Sequence, residues 1–327
     1  MLFSVIIPAF NCEKTVAHAI ESTGAYSNNE IEVIVVNNGS TDNTQQVIRK
    51  ITKKYPNVIY AESVKGVSNA RNKGIELSTG KWITFLDADD YFSTNKNFDL
   101  KKYFSNLADN TDIVFFNYFV NHSKVNLYSM TKDKDNIKRL LSTVLENPTK
   151  YLTVWGKFYR RNTLKKNNIN FNSSLSYSED SEFLIRFLLS CRHAKFINYY
   201  LYNYYLSQNS TVRKYNPRMA DEYQKAILEI RKDIAPYAYL KRSYLIFVLM
   251  QFNLIMVHNV FIKPNNQLSQ LKLMCKKEYI SEALSALKLK NIFVPRLIPV
   301  VFCKYHLYLL AALIYKLRVL QNTKKAN

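Results

Sequence analysis

Three aspartates fall within four positions, Asp87-Ala88-Asp89-Asp90, directly after the apolar run Trp82-Ile83-Thr84-Phe85-Leu86. Five residues with strand character therefore deliver carboxylates into a turn. Carboxylates this close repel one another and are costly to desolvate unless a cation neutralises them. Asp87 and Asp89, two apart, can reach one hard divalent ion directly or through its waters. Mg²⁺ or Mn²⁺ suits such a site, because either takes oxygen ligands and leaves positions open for a phosphate substrate. An isolated D-x-D is more often a solvated acidic turn, so its company decides. A second acidic group, Glu179, Asp180 and Glu182, reads by itself as helix N-terminal charge favoured by the macrodipole.

The elements that must position these groups come in a regular order. Phe3-Ser4-Val5-Ile6-Ile7-Pro8 reads as a buried strand closed by proline, with a helix-like stretch from about 12 to 22. Ile31-Glu32-Val33-Ile34-Val35-Val36 is a second strand, ending in the polar loop Asn37-Asn38-Gly39-Ser40-Thr41-Asp42-Asn43-Thr44. A periodic segment from 44 to 55 predicts a helix, Val58-Ile59-Tyr60 a third strand, and the acidic turn ends the fourth. Strands alternating with helices predict an α/β fold with a mostly parallel sheet flanked by helices. In such sheets ligands bind beyond the carboxyl ends of the strands, where these polar loops and the acidic turn fall. A nucleotide diphosphate is the ligand class that placement favours.

Six pieces in order resemble the inverting glycosyltransferases of family 2, which have the Rossmann-like GT-A fold. They are Ser4-Val5-Ile6-Ile7-Pro8-Ala9-Phe10-Asn11, Val36-Asn37-Asn38-Gly39-Ser40-Thr41-Asp42, and Gly66-Val67-Ser68-Asn69-Ala70-Arg71-Asn72-Lys73-Gly74-Ile75. The others are Phe85-Leu86-Asp87-Ala88-Asp89-Asp90, Trp155-Gly156-Lys157-Phe158-Tyr159-Arg160-Arg161 and Ser178-Glu179-Asp180-Ser181-Glu182-Phe183. The resemblance spans residues 3 to 212 and fades beyond. It implies that Asp87 and Asp89 hold the metal and the donor, and that Asp180, with Glu179 beside it, is the general base for the acceptor hydroxyl. It implies that Arg71 contacts the nucleotide and that Pro8, Phe10 and Asn11 line the nucleobase site. Trp155 and Lys157 would shape the acceptor side. Asn37-Asn38 stands where the family usually has Asp-Asp; the Asn38 oxygen can still accept from a uracil imide, although its amide can also donate. UDP is therefore the expected nucleotide.

Composition and charge set the rest. All six glycines lie at or before position 156, so special backbone geometry is concentrated in the nucleotide-binding half. Prolines 217, 236, 264, 295 and 299 punctuate the remainder into helical segments. We expect a catalytic domain over 1–215 and a basic, apolar helical region over 216–327, with a change of character near 213–217. Of the formal net charge of +21, residues 213–327 carry 20 basic against 6 acidic side chains, a net of +14. Cations interleaved with apolar runs at 244–262, 292–303 and 305–315 suit an anionic membrane surface. Residues 244–262 are just long enough to span a bilayer, but Gln251, Asn253, His258 and Asn259 favour a buried or interfacial helix. A small helical bundle completing the core is the competing reading of the whole region. No nucleic-acid motif accompanies the basic charge.

The four cysteines are scattered, and no signal peptide precedes a first strand that starts almost at Met1, so reduced thiols in the cytoplasm are expected. The sequence as a whole predicts a cytoplasmic enzyme, peripheral at the inner face of the membrane. It would transfer a sugar from a UDP-sugar to a hydroxyl of a surface-glycan or lipid-linked acceptor. The Q-x-x-R-W motif of processive relatives is absent, which favours single-sugar addition. The alternatives are a nucleotidyltransferase, which would want a glycine-rich loop after the first strand, and a degenerate membrane-bound scaffold.

Overall fold

The structure is a computed structural model that describes residues 1–93, 99–128, 136–205, 216–263, 265–288 and 293–324. The expected boundary at 213–215, Pro264 and the first residue of the 292–303 run lie outside the described residues. The chain divides into two compact units, one of Met1–Leu140 with Thr153–Tyr205, the other of Leu141–Leu152 with Leu206–Asn327. A short inserted stretch thus joins the second unit before the chain returns to the first, an interleaving that no composition shift marks.

The first unit is built on one sheet. Strands β1 (Phe3–Ala9), β2 (Ile31–Asn37), β3 (Val58–Glu62) and β4 (Trp82–Phe85) alternate with helices α1 (Val16–Ser22), α2 (Thr44–Thr52) and α3 (Val67–Leu77). They lie side by side in the order β3-β2-β1-β4, all parallel. Then come β5 (Tyr91–Phe92), α4 (Leu100–Ser105), β6 (Thr111–Val120), β7 (Ser123–Val125), α5 (Ile137–Glu146) and α6 (Pro148–Tyr151). They are followed by β8 (Lys157–Arg160), α7 (Arg161–Lys166), α8 (Glu179–Leu189) and β9 (His193–Tyr204). From β4 the sheet continues β8-β6-β9-β5, and β7 pairs with β6. Here β8 runs antiparallel to β4 and β6, while β6 and β9 are parallel. The parallel half follows from the strand–helix alternation; the mixed half has no such periodic cue.

Burial explains the sequence pattern. Strands β1 and β2 are covered on both faces, so they read as continuous apolar runs rather than alternating ones. Helix α3 lies tight against β1: a Cβ at Gly74 would sit 2.3 Å from Ile6 Cγ2. Two polar clasps, that of Glu32 buried and that of Asp112 half-buried, fix the loops at the other end. Glu32, 3% exposed, accepts from Ser4 Oγ (2.5 Å), Thr79 N (2.6 Å), Thr79 Oγ1 (2.9 Å) and Gly80 N (3.1 Å). Asp112 receives Thr163 Oγ1 at 2.6 Å and Arg192 N at 2.7 Å.

The second unit is helical: α9 (Met219–Ile234), α10 (Lys241–Ile255), α11 (Gln267–Cys275), α12 (Glu278–Ser285), α13 (Ile298–Lys304) and α14 (Tyr308–Lys324). Ala238–Val260 is long and apolar enough to cross a membrane, yet most of it is buried inside protein. Its polar residues are satisfied there: Asn253 donates to Arg296 O (3.0 Å) and accepts from Tyr315 Oη (2.7 Å), and Asn259 donates to Asn216 O. Polar groups that would be costly in lipid are here hydrogen-bonded within protein, Asn253 buried and Asn259 half-buried. All four cysteines are free thiols.

The Gly74 contact is a steric one, and it is testable. Gly74→Ala should lower stability by about 1–3 kcal/mol through overpacking against Ile6, read as a shifted urea midpoint with unchanged slope.

Candidate active site

Because β1, β2, β3 and β4 run parallel, their carboxyl ends share one edge, which brings Phe10, Asn38 and Asp87 together from distant sequence positions. The loop after β1 is locked to the loop after β2. Asn11, with φ of 48°, donates its backbone N–H to Ser40 Oγ (3.0 Å), and its side-chain oxygen accepts from Thr41 N (2.8 Å). Asn38 is buried; its N–H reaches Ala9 O and its side-chain oxygen accepts from Gly66 N at 2.6 Å. Asn38 therefore ties the start of α3 to the end of β2. Phe10 stands 44% exposed with the Lys65 ammonium 5.4 Å from its ring centre.

The decisive contact lies between α3, the acidic turn and α8. Arg71, with 5% of its side chain exposed, reaches Asp180 Oδ1 at 2.5 Å, Asp87 Oδ1 at 3.2 Å and Glu179 Oε1 at 3.4 Å. The two acidic motifs, ninety residues apart, thus share one guanidinium. Phe171 stacks on Phe183 of α8 (4.0 Å) and lies 5.2 Å from the guanidinium. Asn72 pins that segment by a reciprocal pair of bonds, donating to Phe171 O (2.9 Å) and accepting from Phe171 N (2.7 Å).

Charge states follow from this packing. Burial works against the Arg71 charge, but Asp180, Asp87 and Glu179 outweigh it and hold the guanidinium protonated well above its ordinary range. Burial and the Asp180 charge push Glu179 up to about 8, against the pull of Arg71. Asp87 rises to about 6, chiefly by burial, with Arg71 opposing and Asp180 and Asp89 adding repulsion. Three carboxyl groups thus crowd one cation. Such a set gains from a divalent ion, and the exposed Asp89 with Asp87 offers the hard oxygen donors it needs. Among the described residues no three His, Cys, Asp or Glu side chains converge as a metal cage by themselves.

Other residues in the motifs are placed as supports. Asp90 turns inward, accepting from Tyr202 Oη (2.6 Å) and Tyr205 N (2.8 Å). The Asp87 N–H donates to the same Tyr202 oxygen at 3.2 Å, and Trp155 stacks on the Tyr202 ring at 4.4 Å. Lys157, fully buried, donates to Thr153 O (2.6 Å), Thr153 Oγ1 (3.0 Å) and Trp155 O (3.3 Å). Burial lowers it to about 7. It braces the loop that presents Trp155. Glu182 is paired with Arg186 one turn on and is structural. Sequence reading missed Asn72, Phe171 and Tyr202. Asn72 sits in a recognised motif, but Tyr202 is one of several tyrosines in β9, and nothing in its spacing singles it out.

Residues 4–170, just over half of the chain, match the model of glycosyl transferase family 2. The chain belongs to that family. A relative in Escherichia coli K12, the glycosyltransferase YibD, is 29% identical over 244 residues, covering 70% of this chain and 69% of YibD. E. coli WfaP, a UDP-Glc:alpha-D-GlcNAc-diphosphoundecaprenol beta-1,3-glucosyltransferase, is 35% identical over 117 residues, 36% of this chain and 45% of WfaP. Among solved structures, S. aureus TarS residues 1–349 in complex with UDP superposes with a TM-score of 0.66 at 19% identity, covering 100% of this chain and 92% of that one. The fold is GT-A, and this family 2 chain is a glycosyltransferase.

The Arg71 cluster makes a stability prediction. Arg71→Met leaves buried carboxylates without their cation and should cost about 3–5 kcal/mol at pH 7.5. Urea unfolding checks it, and part of the loss should return at pH 5, below the raised value of Asp87.

Proposed function

We propose that this family 2 enzyme transfers a sugar, with inversion, from a UDP-sugar to a hydroxyl of a surface-glycan or lipid-linked saccharide. One observation carries the reading: a single buried guanidinium holds both Asp87 of the acidic turn and Asp180 at the start of α8. Inversion needs a carboxylate on the face opposite the leaving group, placed to take the acceptor proton as the hydroxyl attacks. Asp180 suits that role, since a quarter of its side chain remains open beside the guanidinium that orients it. Burial pushes the Glu179 carboxyl up, which disfavours it as the base. UDP is supported by the nucleotide seen in TarS, by the donor in WfaP's name and by the strand-end loops. Exposed Phe10 offers a stacking face, and Pro8, Asn11 and Asn38 shape the loops around it. The Asn38 oxygen, although taken once by Gly66, keeps a second lone pair for an imide. Asp87 and Asp89 would hold Mn²⁺ or Mg²⁺, which would supply Lewis-acid stabilisation of the departing diphosphate. The lipid-linked acceptor is supported by WfaP's name alone.

Two substitutions separate these roles. Asp180→Asn should lower turnover about 10²–10⁴-fold while UDP affinity, measured by calorimetry, stays near wild type. Asp89→Asn should instead lose the Mn²⁺-dependent part of UDP binding. If Asp180→Asn weakens UDP binding while saturated turnover persists, the base is Glu179.

A cytoplasmic enzyme peripheral at the inner membrane face completes the proposal, and α14 supports it. Leu309, Leu313, Leu317 and Leu320 are 73%, 56%, 50% and 58% exposed at helical spacing, an apolar stripe on a strongly basic unit. Each Lys or Arg near an anionic surface contributes about 1 kcal/mol before screening. Anionic vesicles should therefore sediment the full chain at low salt and release it at high salt, and Leu313→Asn with Leu317→Asn should weaken the effect. Absence of binding to anionic and neutral vesicles alike would leave α14 without a membrane role.

A further inference from the structure

At the opposite edge of the first unit's sheet, the start of β4 and the end of β8 bring four cations around one cavity. The register pairs Trp82 with Arg160 across β4 and β8, and Phe3 with Trp82 across β1 and β4. Lys81, Arg160, Arg161 and Lys165, with Thr79 and Asn162, line a cavity of about 440 Å³, a size usual for small-molecule sites. Lys81 precedes Asp87 by six positions, four of them across β4, so at about 3.3 Å per residue the two lie at most about 20 Å apart.

Its walls are built rather than incidental. The loop carrying Thr79 and Lys81 is clasped by buried Glu32, whose charge is spread over four donors. A Cβ at Gly80 would meet Phe3 C and Ser4 N at 2.7 Å, so this loop is seated directly on β1. Arg160 lies 4.5 Å from the Trp82 ring centre and donates Nε–H to Thr111 O at 2.6 Å. Arg161 donates to Ser78 O at 3.1 Å. Both guanidiniums are thus fixed by neutral carbonyls, which orient them without cancelling their charge. Two nearby carboxylates, Asp109 and Asp112, offset part of that charge, and four cations face them. Asp109, 3.4 Å from Lys81, has its side chain 95% exposed, and Asp112 is taken by Thr163, Arg192 and His193. Burial lowers the Arg160 pKa, so an anion arriving there is met by a partly desolvated charge.

We propose that this cavity is a second, non-catalytic binding site for a phosphate ester, which the two lysines and the guanidinium N–H groups not given to backbone carbonyls would hold through its oxygens. A phospholipid headgroup and a soluble phosphorylated polyol or sugar present the same chemistry, and the two sources are separable by experiment. Glycerol 3-phosphate is titrated into the full chain by calorimetry at low salt. Wild type should bind it saturably, and an excess of UDP should not displace it. Arg161→Gln with Lys165→Gln should weaken it at least tenfold without moving the thermal midpoint. Lys165→Glu alone, a change at an exposed side chain, should weaken it several-fold and guards against a folding defect in the double variant. Displacement of the probe by phosphatidylglycerol vesicles, but not phosphatidylcholine vesicles, would assign the site to a headgroup; persistence of the probe would assign it to a soluble ester. No saturable binding to wild type, equal binding to the variants, or displacement by UDP would overturn the proposal. UDP binding and transfer are read separately, so failure here leaves the catalytic assignment intact.

Discussion

Arg71 is surrounded by three carboxylates in a region almost closed to water, and the geometry of the catalytic edge depends on that arrangement. Removing such an ion from water is expensive unless partners replace the lost hydration. Here the partners come from α3's neighbours in space: the acidic turn after β4 and the start of α8. The same contact that compensates the arginine aligns Asp87 and Asp180, the carboxylates to which we assign the donor and base roles. Burial, and then repulsion from Asp180, raise the Glu179 carboxyl, which lies deeper, with 14% of its side chain exposed against 25% for Asp180.

A second layer holds this arrangement still. Tyr202 bonds both the Asp87 amide and the Asp90 carboxylate, and carries Trp155 on its ring. Asn72 and Phe171 clasp α3 to the segment before α8. Each of these groups braces a residue to which we assign a ligand or catalytic role. Functional side chains held by satisfied polar neighbours need less reordering when a substrate arrives.

The second unit shows how the same composition serves two ends. Its longest apolar stretch is a core helix whose Asn253 and Asn259 are hydrogen-bonded. Its last helix instead keeps a leucine stripe in solvent. The two helices differ in whether neighbours cover their apolar residues.

The local pattern of residues determined a good deal. Apolar runs closed by proline, asparagine or aspartate placed β1, β2 and β4 to within a residue or two, because a strand buried on both faces must be apolar throughout. Six ordered motifs carried the family, and family 2 membership is shown. The helix after Asn11 was read about four residues too long, since Cys12 to Thr15 form a turn held by Thr44 and Asp42 across the loop. Only the tertiary structure decided that Arg71 belongs to Asp87, Glu179 and Asp180, that Lys157 is a loop brace, and that Asn38 clasps Gly66. The mixed half of the sheet and the return of 141–152 to the second unit were likewise invisible in the sequence. The reason is physical: hydrophobic periodicity is written in neighbours three or four residues apart, whereas a buried charge chooses its partners from whatever the fold brings within a few ångströms.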